Sequence, residues 1–238
     1  MRLKKSLLIF LISIPFIGVS QDIQGNFNVE ILTQYSYGFL LHKPENTKEK
    51  KPLIIFLHGD GEKGTDIEKV KIHGPFKYLQ THTIDAYVLA PQCRENASWD
   101  SESLYKLILK IIKENNIDSN RIYLTGLSSG GWGTWNLALS HPELFAAIVP
   151  ISSYVDLNEQ DYACKLKDMP IRIFHGLLDD VVNPDFPISM YKVLKACNAT
   201  NVKLTIFDDE NHGCWTRVYD NQEIYDWMLQ QVKNPNLK

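Results

Sequence analysis

The segment Arg121-Ile122-Tyr123-Leu124-Thr125-Gly126-Leu127-Ser128-Ser129-Gly130-Gly131 sets a serine between an apolar run of β type and a helix-type stretch. G-x-S-x-G alone arises by chance in about one in ten chains of this size, so the flanking elements carry the argument. A strand before the serine and a helix after it describe a nucleophile elbow. The sharp turn puts the serine at positive φ, where a residue with a Cβ is strained. It also brings the backbone two residues to either side into close approach, and Gly126 and Gly130 remove the clash. The Ser128 hydroxyl then faces the free N–H groups at the start of the next helix, which stabilise an oxyanion. Ser129 N–H is one expected donor.

A serine nucleophile needs a base, and the base needs an orienting acid, neither fixed by adjacency to the serine. In this kind of fold the chain order is Ser, then Asp or Glu, then His. His141, His175 and His212 lie after Ser128. His141 precedes Pro142 at the expected end of the post-elbow helix and reads as a surface cap. His175, beside Gly176 at the end of a strand, reads as a hydrogen-bonding residue that shapes the following loop. His212, on the loop leaving the run 202–207, is the expected base. The expected acid is Asp179, on the loop after the strand that begins at Ile171. Asp180 is its rival, and Asp208 and Asp209 are weaker ones because they share the histidine's own loop.

A second oxyanion donor is expected from the loop after an early strand. The apolar run 52–57 has the look of a buried parallel strand, and His58-Gly59-Asp60-Gly61 follows it. Asp60 N–H is the expected donor, with Gly59 and Gly61 close behind; the plainer reading of the loop is a tight strand-to-helix turn. Trp132, one turn past the elbow, and Trp215, three residues past His212, are candidates to pack on a sugar or an aromatic acid. Both also suit a buried aromatic core. Gln92 and Trp99, after the run 86–90, are weaker binding candidates.

The motifs Leu57-His58-Gly59-x-Gly61-Glu62-Lys63-Gly64, Ala90-Pro91-Gln92-Cys93, the elbow segment, His141-Pro142-Glu143-Leu144-Phe145-Ala146-Ala147, Phe174-His175-Gly176-x-x-Asp179 and His212-x-x-Trp215 stand in a telling order. Together they resemble the exported α/β-hydrolases known as predicted peptidases or phospholipase/carboxylesterase-like proteins, which are similar to the feruloyl and acetylxylan esterases of carbohydrate esterase family 1. The resemblance runs from about residue 37 to 229. It implies Ser128, Asp179 and His212 as a triad, the His58–Gly61 loop as part of the oxyanion hole, and ester substrates, with those on plant polysaccharides favoured. Two positions depart from the family. Asp60 stands where a small apolar residue is usual, and Asn183 where a Val-Pro pattern after the acid is usual. A carboxylate aimed at an oxyanion hole would weaken it, so Asp60 is expected to point to solvent.

The elements that must position these residues are legible as apolar runs at 37–41, 53–57, 86–90, 121–125, 147–151, 171–174 and 202–207, with helical stretches between most of them. The clearest helix covers 102–115, where Leu104, Leu107, Ile108, Ile111 and Ile112 share one face behind the capping candidates Asp100 and Ser101. Others follow Ser129 and cover about 186–195 and 221–232. This alternation implies an α/β-hydrolase fold, a mainly parallel central sheet flanked by helices, with the site at the strand carboxyl ends.

Arg2, Lys4 and Lys5, an apolar stretch 7–17 and Gly18-Val19-Ser20 describe a cleavable signal peptide over residues 1–20, ahead of a single catalytic domain over 21–238. The apolar stretch, interrupted by Pro15, is too short to span a bilayer comfortably, and no cysteine follows it for lipid attachment. The mature chain is therefore expected to be secreted or periplasmic and free of the membrane. Removing the leader takes the net charge from −3 to about −6, a poor match for nucleic acid or anionic lipid. Four cysteines allow two disulfides. Cys93 and Cys214, both on loops at the expected catalytic face, are the pairing to test. No ligand spacing or cofactor fingerprint is present, so neither a metal nor a cofactor is expected. The reading is an exported serine esterase; the alternatives are a peptidase on the same triad and a non-catalytic binding protein on the same fold.

Overall fold

The computed structural model describes residues 21–30, 34–156 and 162–235. Among them, strands β1 (Gln21–Glu30), β2 (Gln34–Lys43), β3 (Lys51–Leu57), β4 (Tyr87–Gln92), β5 (Ile117–Leu127), β6 (Ala147–Ile151), β7 (Ile171–Gly176) and β8 (Val202–Phe207) form one sheet in the order β1-β2-β4-β3-β5-β6-β7-β8. β1 and β2 are antiparallel and β2 meets β4 antiparallel, while the pairings from β4 through β8 are all parallel. The helices are α1 (Gly74–Tyr78), α2 (Ser101–Glu114), α3 (Ser129–Ser140), α4 (Asp185–Ala196), α5 (Trp215–Tyr219) and α6 (Gln222–Gln230).

The pleat explains how continuous apolar strands serve two cores. Leu53, Ile55 and Leu57 of β3 turn to the face covered by α2, α3 and α4, while Ile54 and Phe56 turn to the face covered by α1, α5 and α6. Helix α2 lays Leu104, Leu107, Ile108 and Ile111 on the first face, each contributing about 1.5–3 kcal/mol by burial. Of its two capping candidates, Asp100 is the cap: its carboxylate accepts the Ser103 N–H at 2.8 Å.

Each strand expected from the sequence is present. β1 is the addition, read poorly because an edge strand rich in Gln and Asn lacks an apolar run. Its Gly25 lies opposite Phe39, whose ring occupies the space a Cβ would need, with Cζ 2.4 Å from that point. The Cys93–Cys214 pairing singled out for testing does not form. Cys93 belongs to the core on one sheet face and Cys214 to the core on the other, so the sheet separates them. The disulfide joins Cys164, in a short 3₁₀ turn, to Cys197 at the end of α4. The expected signal peptide lies outside the described residues.

Candidate active site

Three parallel strands end where the chemistry-bearing residues begin. Ser128 follows β5 and caps α3 at φ 52 and ψ −122, the strained turn expected of an elbow. Its neighbours have to be glycine: a Cβ on Gly126 would lie 2.3 Å from Gly130 O, and one on Gly130 would lie 2.0 Å from Leu57 O. The Ser128 N–H donates to Ile151 O of β6 at 3.0 Å, tying the elbow to its neighbouring strand.

Asp179 follows β7 and His212 follows β8, and the two loops are sewn together. Leu177 N–H donates to Phe207 O at 2.7 Å and Leu178 N–H to Glu210 O at 2.9 Å. Gly176 permits that approach, since a Cβ there would lie 2.2 Å from Asn211 O. In consequence Asp179 Oδ2 lies 2.8 Å from His212 Nδ1, and His212 Nε2 lies 3.0 Å from Ser128 Oγ. The other carboxylate oxygen, Oδ1, accepts the N–H groups of Val181 and Val182 at 2.9 and 2.8 Å. With Oδ1 held and Nδ1–H given to the acid, the imidazole presents a bare Nε2 to the serine hydroxyl. The rivals are elsewhere: Asp180 and Asp208 are exposed, and Asp209 pairs with Arg217 at 2.8 Å.

His175 is fully buried. Its Nε2–H donates to Val182 O at 2.9 Å, and the same nitrogen lies 3.1 Å from Asp179 Oδ2. Burial pushes its pKa down, which suits a neutral ring serving the acid loop. His141 stacks on Tyr105 and bonds Glu102 at 2.9 Å, joining the end of α3 to α2.

The second wall is the loop after β3. A Cβ on Gly59 would lie 3.5 Å from Ser128 Cβ, so the loop backbone abuts the elbow. Asp60 points outward, its side chain 69% exposed and its Oδ1 2.7 Å from Lys63 Nζ. Partial burial opposes its ionisation, yet Lys63 holds the carboxyl below its usual range. Among the described residues neither Asp60 N–H nor Ser129 N–H has a hydrogen-bond acceptor, which leaves both amides available to a ligand oxygen.

The candidate binding residues divide. Trp215 sets its ring edge-on against His212 with centroids 5.1 Å apart, and against His73 at 5.6 Å, so it forms a wall of the site. Trp132 gives its indole N–H to Asp156 at 2.9 Å and begins a row of rings, with Tyr154 at 6.4 Å and Phe186 a further 6.0 Å on. Gln92 is corrected. It is 2% exposed and spends both amide protons on the carbonyls of Glu62 and Asp66, at 2.8 and 2.7 Å, so it shapes the loop and does not face a ligand. Sequence reasoning missed Tyr154, Phe186 and the loop-holding role of Glu62. The last had a signal, since Glu62 stands three residues after Gly59 as in a capping box.

The phospholipase/carboxylesterase family model matches residues 100–224, a span that includes Ser128, Asp179 and His212. The fold superposes on the crystal structure of a thermostable esterase with a TM-score of 0.74 and 32% identity, covering 88% of this chain and 63% of that one. The sequence is 26% identical over 151 residues to a bifunctional acetylxylan esterase/xylanase of Neocallimastix patriciarum, covering 60% of this chain and 21% of the relative. It is 28% identical over 119 residues to feruloyl esterase B of Talaromyces funiculosus, covering 45% of this chain and 33% of the relative. The chain thus spans between a fifth and a third of the length of these two curated relatives.

Proposed function

The chain belongs to the phospholipase/carboxylesterase family of α/β-hydrolases, and on that premise we propose that it is an exported serine esterase acting on acyl groups of plant polysaccharides. The observation that carries the reading is the unbroken line from Asp179 through His212 to Ser128 at 2.8 and 3.0 Å. Ser128 Oγ attacks the ester carbonyl as His212 Nε2 takes its proton, and the carbonyl oxygen becomes an oxyanion facing the N–H groups of Ser129 and Asp60. The carbon–oxygen bond to the alcohol then breaks, His212 returns the proton to the leaving alkoxide, and an acyl-enzyme remains. Water, deprotonated by His212, releases the acid by the same steps. Asp179, fixed by the N–H groups of Val181 and Val182, keeps Nδ1 protonated and stabilises the imidazolium.

Two considerations support a polysaccharide-linked ester. The relatives just described include an acetylxylan esterase and a feruloyl esterase. The row Trp132, Tyr154 and Phe186 starts one turn from Ser128, and its outer members are 36% and 38% exposed, so flat faces are offered for a sugar ring or an aromatic acyl group to stack on. Export rests on the signal-like residues 1–20.

Hydrolysis of 4-nitrophenyl acetate, methyl ferulate, acetylated xylan and an amide analogue is the test, with Ser128→Ala alongside. The expected result is ester turnover that falls by about 10⁴-fold or more in the variant, with little amide cleavage. Preferential amide cleavage would turn the reading to a peptidase. No turnover together with no labelling by a fluorophosphonate would leave a binding protein on a hydrolase fold.

A further inference from the structure

Two buried ionisable side chains beneath the His58–Gly61 loop take no part in the steps above. His58 is 0% exposed and Glu62 is 6% exposed. Burying such groups is costly, and apolar residues of similar volume would fill the space without that cost. What they hold is therefore informative.

Both converge on Gly59. Glu62 Oε2 accepts the Gly59 N–H at 2.9 Å, and His58 Nδ1–H donates to Gly59 O at 2.6 Å. The tautomer follows from the other ring nitrogen: Nε2 accepts the Cys93 N–H at 3.0 Å, so the ring proton resides on Nδ1. Trp99 packs edge-on against the ring at 4.8 Å. In a planar trans peptide the carbonyl oxygen and the next residue's N–H occupy opposite edges. Holding Gly59 O toward His58 therefore sends Asp60 N–H the other way. Gly59 abuts the elbow, as the 3.5 Å from its Cβ position to Ser128 Cβ shows.

We propose that Glu62 and His58 are positioning residues that hold the Gly59–Asp60 peptide as a preset oxyanion donor for Ser128; the proposal rests on the serine-esterase reading. Glu62 fixes the N–H of Gly59 and His58 fixes its carbonyl, so the peptide that follows cannot rotate without breaking a buried bond. A donor aimed in advance needs no reorganisation when charge develops on the substrate oxygen. Burial pushes the Glu62 carboxyl up, which limits the negative charge set against an oxyanion, and the Gly59 N–H offsets what remains, with Lys69 nearby and His73 Nε2 3.8 Å from Oε1.

The experiment measures kcat and KM for 4-nitrophenyl acetate, and inhibition by phenylboronic acid, whose adduct with a serine is tetrahedral. The proteins are wild type, Glu62→Ala, Glu62→Gln, His58→Gln, His58→Asn and Ser128→Ala. Asn keeps an amide N–H where Nδ1 stood, whereas Gln carries its amide to the Nε2 position and loses the bond to Gly59. Glu62→Ala and His58→Gln are expected to lower kcat about ten- to a hundredfold, with KM little changed and boronate affinity reduced in parallel. Glu62→Gln and His58→Asn recover most of the loss. Wild-type kcat in Glu62→Ala, or losses that track the unfolding midpoint and are not relieved by the conservative variants, would overturn the proposal. If Glu62→Ala does not fold, the contrast between the two His58 variants decides alone. Failure of the underlying reading looks different: wild type lacks turnover, or Ser128→Ala keeps it.

Discussion

The acid of the candidate site, Asp179, is held more tightly than the histidine beside it. Asp179 Oδ1 takes two backbone N–H groups, and Oδ2 is shared between His212 at 2.8 Å and His175 at 3.1 Å. Replacing His175 by Phe leaves Val182 O buried without its donor, at a cost of about 1–3 kcal/mol in urea denaturation, and loosens the loop that aims Asp179. A fall in kcat is expected with it, partly restored by His175→Gln, whose amide reaches toward Val182 O. His58 supplies a pH prediction. Burial lowers its pKa from 6.5 to about 4. Between these values the unfolded chain binds the proton and the folded one does not, so stability rises with pH. The full contribution, about 3 kcal/mol, is present above pH 6.5 and lost as pH falls through 4. Denaturation midpoints of wild type against His58→Asn at pH 4 and pH 7 check this: the gap between the two proteins should widen toward neutrality. That Ser128, Asp179 and His212 come together was legible because motif and chain order name them as candidates. The role of Gln92 was not, because it bonds the carbonyls of Glu62 and Asp66 on a turn far from it in sequence. Glu62 and His175 bond closer by, to Gly59 N–H and Val182 O, but residue types alone do not say which carbonyl or amide a loop turns toward them.

At the level of elements, β3, β4 and β6 were announced most clearly as apolar runs, because a central strand buried on both faces leaves little room for polar residues. β1 escaped for the opposite reason: its Gln, Asp and Asn residues leave no apolar run to read. The contacts between loops were also illegible, though they decide the site. The loops after β7 and β8 lie close enough for two backbone hydrogen bonds because residue 176 has no side chain. Gly176→Ala places a methyl 2.2 Å from Asn211 O, a contact with backbone that no rotamer relieves. The expected cost is about 1–3 kcal/mol of stability from overpacking. Activity should suffer more than that loss implies, since separating the loops lengthens the step between Asp179 and His212. Folded Gly176→Ala with wild-type kcat would show that the site does not depend on this approach.

Over the whole molecule, covalent closure is confined to one region. Cys164 and Cys197, separated by 33 residues, clip the turn before β7 to the end of α4, while Cys93 and Cys214 stay reduced in the two cores. In each core burial pushes the thiol up to about 11, so neither is a ready thiolate for exchange. A loop of this length constrains the unfolded chain by about 3–4 kcal/mol, and an oxidising compartment of the kind that export supplies would keep it closed. The bridge lies at the carboxyl end of α4, with Cys164 exposed and Cys197 partly buried, and neither cysteine belongs to the loops that carry Ser128, Asp179 or His212. Replacing both Cys164 and Cys197 by Ser should therefore lower stability by about 3 kcal/mol while kcat at 25 °C stays at the wild-type value. Thiol titration makes the arrangement countable. Chains folded in an oxidising compartment should release two thiols in denaturant and close to none when native, because the two free cysteines are buried. Four thiols in denaturant from such material would mean that the bridge does not form. Two thiols that react in the native protein would mean that Cys93 and Cys214 are not where the opposed cores place them.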